Sequence, residues 1–262
     1  MSVSAPLVAA KAMSIPALGL GTWSLRGREC AAAVAEALRL GYRHIDTAAM
    51  YGNEKEVAQG LGASGIKRDD VFITTKVWSS DIGEGDLQRS AEASLERLQI
   101  ASVDLLLIHW PNASIPLKES IGALCDAKRR GLTRHIGVSN FSSALLREAV
   151  GFAAEPIVAN QCECYPGMDQ DELIDACRKA GVAFVSYRPL GKGAILRNST
   201  LARIAAAHKK SAAQVALRWH IQKGLVAIPK AARREHLEEN LAIFDFALSE
   251  GEMREISAIG RG

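Results

Sequence analysis

Paired cysteines, long apolar runs and a charge excess of one sign are all missing from this sequence. The five cysteines, Cys30, Cys125, Cys162, Cys164 and Cys177, are odd in number and form no C-x-x-C pair. That argues against the disulfide framework of a secreted domain and for a reducing cytoplasm as the expected location. Cys162-Glu163-Cys164 invites a metal reading, but no second ligand pair stands at a zinc-site spacing, so two reduced thiols at a strand end are expected and no metal. No 18 apolar residues run together, which leaves no membrane span. The opening Ser4-Ala5-Pro6-Leu7-Val8-Ala9-Ala10 is broken by Pro6 and Lys11 and lacks the basic start and long apolar core of a signal peptide. Lys and Arg number 32 against 29 Asp and Glu, and the net charge of +3 is too slight to point to nucleic acid or an anionic membrane as partner. What is present is ordinary for a globular chain: 48% hydrophobic and 23% charged residues over 262 positions. A chain of this length buries roughly three quarters of its surface on folding and needs no staples. No composition break or linker divides it, so residues 1–262 are expected to form a single domain.

Alternation organises the chain. Short apolar or β-branched runs recur at Ala17–Leu20, Arg43–Ile45, Val71–Thr75, Val103–Ile108, His135–Val138, Ile157–Ala159, Ala183–Ser186 and Leu225–Ile228. Most are continuous rather than alternating, as strands covered on both faces should be. Amphipathic helices are expected between and after them, at Arg28–Leu40, Asp86–Leu98, Lys118–Arg130, Asp169–Ala180, Leu201–His208, Ser211–Lys223, Arg233–Leu241 and Ser249–Ile259. The first, third and fourth stop at Gly41, Gly131 and Gly181. Eight strand–helix units leave two architectures. A doubly wound sheet needs a glycine-rich phosphate turn after its first strand, and Gly19-Leu20-Gly21-Thr22-Trp23-Ser24 has Ser24 where the third glycine belongs, with bulky Trp23 beside it. Eight units in this length match a closed barrel, so the expected fold is α/β, a single (β/α)₈ barrel.

A barrel places its chemistry at the C-terminal ends of its strands. The residues that end the apolar runs are Thr22, Asp46, Lys76, His109, Ser139-Asn140, Gln161 and Tyr187, and the last run continues Ile228-Pro229-Lys230. Nearly every strand thus finishes in a hydrogen-bonding or ionisable group. Asp46 and Lys76 fall on neighbouring strands, where opposite charges about 4 Å apart attract by a few kcal/mol in a partly dry mouth. Tyr51 follows on the loop after Asp46, and His109 ends the strand after Lys76. Trp23, Trp78 and Trp110 each follow a strand end and, with Met50, suggest an aromatic substrate pocket. Trp219 lies within an expected helix and is read as packing.

These residues carry a family resemblance. Gly41-Tyr42-Arg43-His44-Ile45-Asp46-Thr47-Ala48 with Tyr51-Gly52-Asn53-Glu54 resembles the first signature of the aldo-keto reductases. Ile73–Trp78, Val103–Pro111 and Ile136–Phe141 match the segments that follow, and Asn160–Glu163, Ser186–Gly191 and Ile228–Lys230 extend the match to the last strand. The likeness runs in order over roughly residues 13 to 260 and is nearest to short bacterial members similar to diketogluconate reductases. It implies NAD(P)H-dependent reduction of an aldehyde or ketone by a soluble monomer, with a small carbonyl compound as partner.

The four residues fit that chemistry on their own terms. Hydride addition to a carbonyl builds charge on oxygen and calls for a proton donor and preplaced hydrogen bonds. Tyr51 is the candidate donor. A phenol titrates near 10, and a Lys76 ammonium held by Asp46 is expected to lower that value. Neutral His109 would orient the substrate carbonyl, and no metal is required. The resemblance places cofactor contacts at Gly21, Thr22 and Asp46, and puts the nicotinamide against Tyr187 with its carboxamide on Ser139, Asn140 and Gln161. It places the diphosphate along Pro189, Leu190, Gly191 and Gly193, and the adenosine end on Lys230, Arg233, His236, Glu239 and Asn240. Lys230 and Arg233 argue for NADPH, since both can neutralise a 2′-phosphate. His236 stands where NADPH users of the family commonly have Arg, and Ala231 where Ser is usual. His offers one partly protonated contact in place of a bidentate fork, so NADH is expected to be tolerated. Arg188 replaces a small polar residue common after the stacking Tyr. The chain stops at Gly262, where many members continue into a loop over the substrate, which predicts an open pocket. Two rivals remain: a metal-dependent hydrolase built on His44-x-Asp46, opposed by a first strand without ligands, and a cofactor-binding sensor without catalysis, opposed by retention of Asp46, Tyr51, Lys76 and His109.

Overall fold

The computed structural model describes residues 5–11 and 13–260; Ser4 and Gly262, used above in reading the two ends, lie outside them. Two short strands, β1 (Leu7–Ala10) and β2 (Met13–Pro16), form an antiparallel hairpin. There follow β3 (Leu20–Gly21), α1 (Gly27–Leu40), β4 (His44–Asp46), α2 (Glu54–Ser64), β5 (Phe72–Val77) and α3 (Asp86–Leu98). Next come β6 (Val103–Ile108), α4 (Leu117–Arg129), β7 (Thr133–Ser139), α5 (Ser143–Phe152), β8 (Ile157–Glu163) and α6 (Asp171–Lys179). The chain ends with β9 (Ala183–Tyr187), α7 (Ser199–His208), α8 (Ala212–Gln222), β10 (Val226–Ile228), α9 (Arg234–Leu241) and α10 (Glu250–Ser257).

Strands β3 to β10 pair in parallel, each with its neighbour in sequence. The sheet closes where Leu18 bridges Ala227, with Gly19 N–H donating to Ala227 O at 2.9 Å and Gly21 N–H to Pro229 O at 3.1 Å. The fold is therefore the (β/α)₈ barrel that the spacing predicts. Gly19 and Gly21 serve this closure rather than a phosphate turn. A Cβ at Gly19 would lie 2.5 Å from the His44 ring, and one at Gly21 would lie 2.6 Å from Ile228 O.

The expected helices agree with the observed ones to within two residues at either end. Two helices escape the sequence reading. In α2, Gly60 and Gly62 dilute the helical signal; Gly60 is needed because a Cβ there would meet Ala31 O and Val34 Cβ of α1 at 2.6 Å. The other, α5, starts at Ser142, whose hydroxyl accepts from Leu145 N–H, a cap readable in the sequence. Also unforeseen is the hairpin. Its Ala10, Met13 and Ile15 are buried with Leu105, Leu107, Val158, Val185 and Val226 of the barrel interior, and they stopper the end where the strands begin. The site is thereby confined to the opposite mouth.

Side-chain alternation then decides what faces that mouth. Ile45, Ile73, Val77, Leu106, Ile108 and Val138 point outward and pack under the helices, while Leu105, Leu107, Val185 and Ile228 fill the interior. The inward row continues upward into Asp46, Lys76, His109, Ser139, Gln161 and Tyr187. Strands β5, β7 and β8 extend beyond the apolar runs, so Lys76, Ser139 and Gln161 belong to the sheet itself.

Candidate active site

The centre of the mouth is a buried charge cluster. Lys76 Nζ lies 2.6 Å from Asp46 Oδ1 and 2.8 Å from Thr47 O, and it donates to Tyr51 Oη at 3.2 Å. Lys76 has no exposed surface and Asp46 is 1% exposed. Gln161 Nε2 donates to the second Asp46 oxygen at 2.7 Å, so both carboxylate oxygens have partners. Burial raises the Asp46 carboxyl and works against the Lys76 ammonium, but each charge offsets the other's desolvation, and the lysine ends above its ordinary value. The pair stands as an ammonium and a carboxylate.

Tyr51 corrects one expectation. Burial raises its hydroxyl above the ordinary phenol value, and the Lys76 charge opposes that rise without reversing it. The phenol is protonated and directed at the mouth. His109 behaves as expected: burial, helped by the Lys76 charge, lowers its pKa to about 3 and keeps the ring neutral. Its Nδ1 is buried without a partner among the described residues, which leaves Nε2 as the ring nitrogen open to the cleft. A neutral imidazole with its proton on Nε2 leaves a lone pair at Nδ1, cheaper than an orphaned N–H.

The loop carrying Tyr51 is fastened from below. Gly52 turns through φ 64°, and Asn53, fully buried, accepts from Thr47 Oγ1 at 2.8 Å and donates to Thr22 O at 2.9 Å and Leu25 O at 3.1 Å. Thr22 Oγ1 donates to Asp46 O at 2.9 Å, so this expected cofactor residue braces the strand end from a buried position. Glu54 accepts from Thr75 Oγ1 at 2.6 Å and from Arg97 Nε at 2.7 Å, with its side chain wholly buried. Within Tyr51-Gly52-Asn53-Glu54 the sequence signals a role for Tyr51 alone, and only the fold shows those of Asn53 and Glu54.

A cleft of about 170 Å³ opens above this cluster. It collects Gly21, Trp23, Asp46, Met50, Tyr51, His109, Trp110, Ser139, Asn140, Gln161, Tyr187 and Lys230 from the expected residues, together with Arg188 and Ile228. Trp23 meets Tyr51 edge-on at 4.9 Å between ring centres, and Trp78, half-buried behind the lining, meets His109 at 5.2 Å. Trp23, Met50 and Trp110 are each about 40% exposed and form an apolar rim. Tyr187 Oη donates to Asn140 Oδ1 at 2.9 Å, and Asn140, at φ 63°, donates to His109 O and Ser139 Oγ at 3.0 Å. Ser139 Oγ donates to Gln161 O at 2.8 Å.

Beyond the cleft, buried Pro189 leads into a turn that includes Leu190, Gly191 and Gly193, with Lys192 and Gly193 both at positive φ. Arg188, also at positive φ, pairs with Glu163 at 3.2 Å. On the outer rim Arg233 contacts His236, whose Nδ1 lies 3.3 Å from Glu239, and all three are solvent-accessible. Asn240 departs from this group. It is 5% exposed and faces the buried Tyr42 hydroxyl, which donates to Leu237 O of α9 at 3.1 Å, so the structure does not bring it to the open rim. Cys162 and Cys164 are buried, with thiols pushed up to about 11 and about 12 by desolvation. Trp219 packs, donating from Nε1 to Ser257 Oγ at 2.9 Å.

Known proteins give this geometry a context. Residues 17–261 match the model of the Aldo/keto reductase family. The chain is 42% identical over 250 residues to a glyoxal reductase of Bacillus subtilis, covering 95% of this chain and 90% of that one. The crystal structure of a putative 2,5-diketo-D-gluconic acid reductase B aligns with a TM-score of 0.95 at 41% identity, over 98% of this chain and 92% of that one. An aldo-keto reductase of Bombyx mori in complex with NADP aligns with a TM-score of 0.90 at 32% identity, over 97% and 92%. The barrel, its polar mouth and these matches agree: the chain belongs to the aldo/keto reductase family of oxidoreductases.

Proposed function

We propose that this protein reduces small aldehydes and ketones to alcohols with NADPH, and that Tyr51 donates the proton. One observation carries the reading: a protonated phenol lies 3.2 Å from a wholly buried ammonium that is itself clamped by a carboxylate, at the floor of an open cleft. The bound cofactor would supply the hydride. As charge grows on the carbonyl oxygen, the Tyr51 hydroxyl transfers its proton, and the Lys76 ammonium stabilises the phenolate left behind. Asp46 holds Lys76 charged and aimed. His109 Nε2–H fixes the carbonyl direction by donating to its oxygen. The rim of Trp23, Met50 and Trp110 presents an apolar surface to the rest of the substrate.

The residues fit a nicotinamide cofactor. Gln161 commits its Nε2 to Asp46 and leaves Oε1 open toward the cleft, an acceptor suited to a carboxamide N–H. The Tyr187 ring, half-buried, offers an aromatic wall beside it, and glycines in the 191–193 turn allow close approach of backbone N–H groups to a diphosphate. Lys230 is exposed at the cleft edge and has no carboxylate partner among the described residues, so its charge is free for a phosphate. Arg233 adds a second exposed cation, whereas His236 is shared with Glu239, which supports a preference for NADPH that still tolerates NADH. Five free, buried thiols suit a reducing cytoplasm, where the protein would act as a monomer.

Loss of NADPH absorbance with methylglyoxal as substrate tests the reading. Tyr51→Phe is expected to abolish reduction while NADPH affinity, followed by fluorescence, stays within about twofold. A wild-type protein that binds NADPH but turns over no carbonyl would make it a sensor instead.

A further inference from the structure

We infer that Glu54 is a positioning residue that sets the distance between Tyr51 and Lys76 from outside the barrel. The inference rests on the role proposed for those two residues. Tyr51 belongs to the segment between β4 and α2, and Lys76 points inward from β5. Besides the backbone bond from Thr47 N–H to Thr74 O at 2.9 Å, two side-chain ties hold that segment to β5. The inner tie is the Lys76 ammonium, which donates to Thr47 O at 2.8 Å and to Tyr51 Oη at 3.2 Å. The outer tie is Glu54, the first residue of α2, whose Oε1 accepts from Thr75 Oγ1 at 2.6 Å. Thr75 precedes Lys76, so strand alternation sends its hydroxyl to the side away from the ammonium.

This outer tie is built as a strong one. A hydroxyl donating to a carboxylate at 2.6 Å has the short length of a charge-assisted hydrogen bond. The Glu54 side chain has no exposed surface, so its charge requires a partner, and Arg97 reaches from α3 to supply one at 2.7 Å while also donating to Ser94 Oγ at 3.0 Å. Three elements, α2, β5 and α3, are thereby locked at one point three residues from Tyr51 and one from Lys76. The contact they govern has little slack. At 3.2 Å the Lys76–Tyr51 bond already lies at the long limit for N–H···O, so a shift of a few tenths of an ångström removes it. The Asp46 and Thr47 contacts to Lys76 are shorter and survive such a shift. Loosening Glu54 therefore separates the phenol from the ammonium while the ion pair remains.

Thr75→Val tests this, because valine keeps the shape of threonine, removes only the hydroxyl, and leaves Glu54 paired with Arg97. With methylglyoxal and NADPH, kcat is expected to fall about 10-fold, with KM and NADPH affinity within about twofold. The alkaline limb of kcat, set by the Tyr51 proton, should move up by about half a pH unit or more as the ammonium's pull weakens. Thr75→Ser restores the hydroxyl and should return both kcat and the limb toward wild type. Glu54→Gln, which also unpairs Arg97, should shift the limb in the same direction. The inference is overturned if Thr75→Val keeps wild-type kcat and limb. It is equally overturned if kcat, NADPH affinity and melting temperature fall together with the limb unmoved and Thr75→Ser no better. Absence of turnover in the wild-type protein would instead remove the proposed reaction.

Discussion

Replacing Lys76 by methionine perturbs the site at its most costly point. Methionine keeps an unbranched apolar stem but no charge, so Asp46, 1% exposed, retains only the Gln161 amide as a side-chain donor. Breaking a buried pair from one side costs about 3–5 kcal/mol, because the remaining charge is left desolvated. Against a typical stability of about 5–15 kcal/mol the variant still folds at 25 °C. The sign of its pH dependence follows from Asp46. Burial already raises this carboxyl, and removing the opposing ammonium raises it further above its unfolded value of about 3.9. A group whose folded pKa is raised contributes stability below the unfolded value and loses it as pH climbs through the folded one. The deficit of Lys76→Met relative to wild type should therefore be largest at pH 8 and smaller at pH 5. Urea unfolding at both pH values measures it. Adding Asp46→Asn removes the stranded charge and should recover about 2 kcal/mol or more at pH 8, while carbonyl reduction stays absent in both variants. A deficit under about 1 kcal/mol at pH 8, or one that grows on acidification, would refute the reasoning.

Three further predictions concern the histidines. His109 is held neutral down to about 3, so kcat/KM for reduction should show no limb near pH 6.5; a limb there that His109→Gln abolishes would contradict the proposed orientation of the carbonyl. His44 and His220, both fully buried, are lowered to about 3 and about 4 from an unfolded value near 6.5, so their contribution is complete above that value and is lost as pH falls. Between pH 6 and 4 the two together should reduce stability by about 2.3 kcal/mol per pH unit, and His44→Gln should remove about half of that slope in urea unfolding. At the adenosine end, the ratio of kcat/KM for NADPH over NADH should stay below ~10⁴, about 5.5 kcal/mol, and His236→Arg should raise it about 10-fold by restoring a charged fork. A wild-type ratio above that bound would end the case for NADH tolerance.

The sequence displays most of the site because a barrel converts strand ends into one mouth. Asp46, Lys76, His109, Ser139, Gln161 and Tyr187 each stand two residues after an inward position of their strand, His44, Thr74, Leu107, Gly137, Ala159 and Val185, and parity alone carries them to the same side. Burial is what the sequence conceals. The charge of Lys76 beside Tyr51 suggests a lowered phenol, yet the depth of the hydroxyl outweighs it and the net direction is upward. Glu54 escapes for a related reason: the helix it opens is itself not visible in the sequence, and only the fold brings Arg97 and Thr75 to its carboxylate. Asn240 could have been read differently from periodicity, since it stands three residues after buried Leu237 on the inner face of α9. The hairpin leaves almost no trace because its strands are four residues each and meet across Lys11.

The Asp46–Lys76 pair is a poor device for holding a barrel together. At the same height a pair of aliphatic side chains would continue the packing of Leu105, Leu107, Val185 and Ile228 without desolvating a charge. Such replacements are often neutral or stabilising. The structure also invests in keeping the pair ionised: Gln161 occupies the second carboxylate oxygen and Thr47 O takes another ammonium proton. Neither contact is needed to join β4 to β5, which already share a parallel ladder from His44 to Asp46. A single outlet remains for this arrangement, the third donor of Lys76, and it is directed at Tyr51. Asp46→Leu with Lys76→Leu should then melt no lower than the wild-type protein while reducing no carbonyl. A double variant that melts far below wild type would return the pair to a purely structural role.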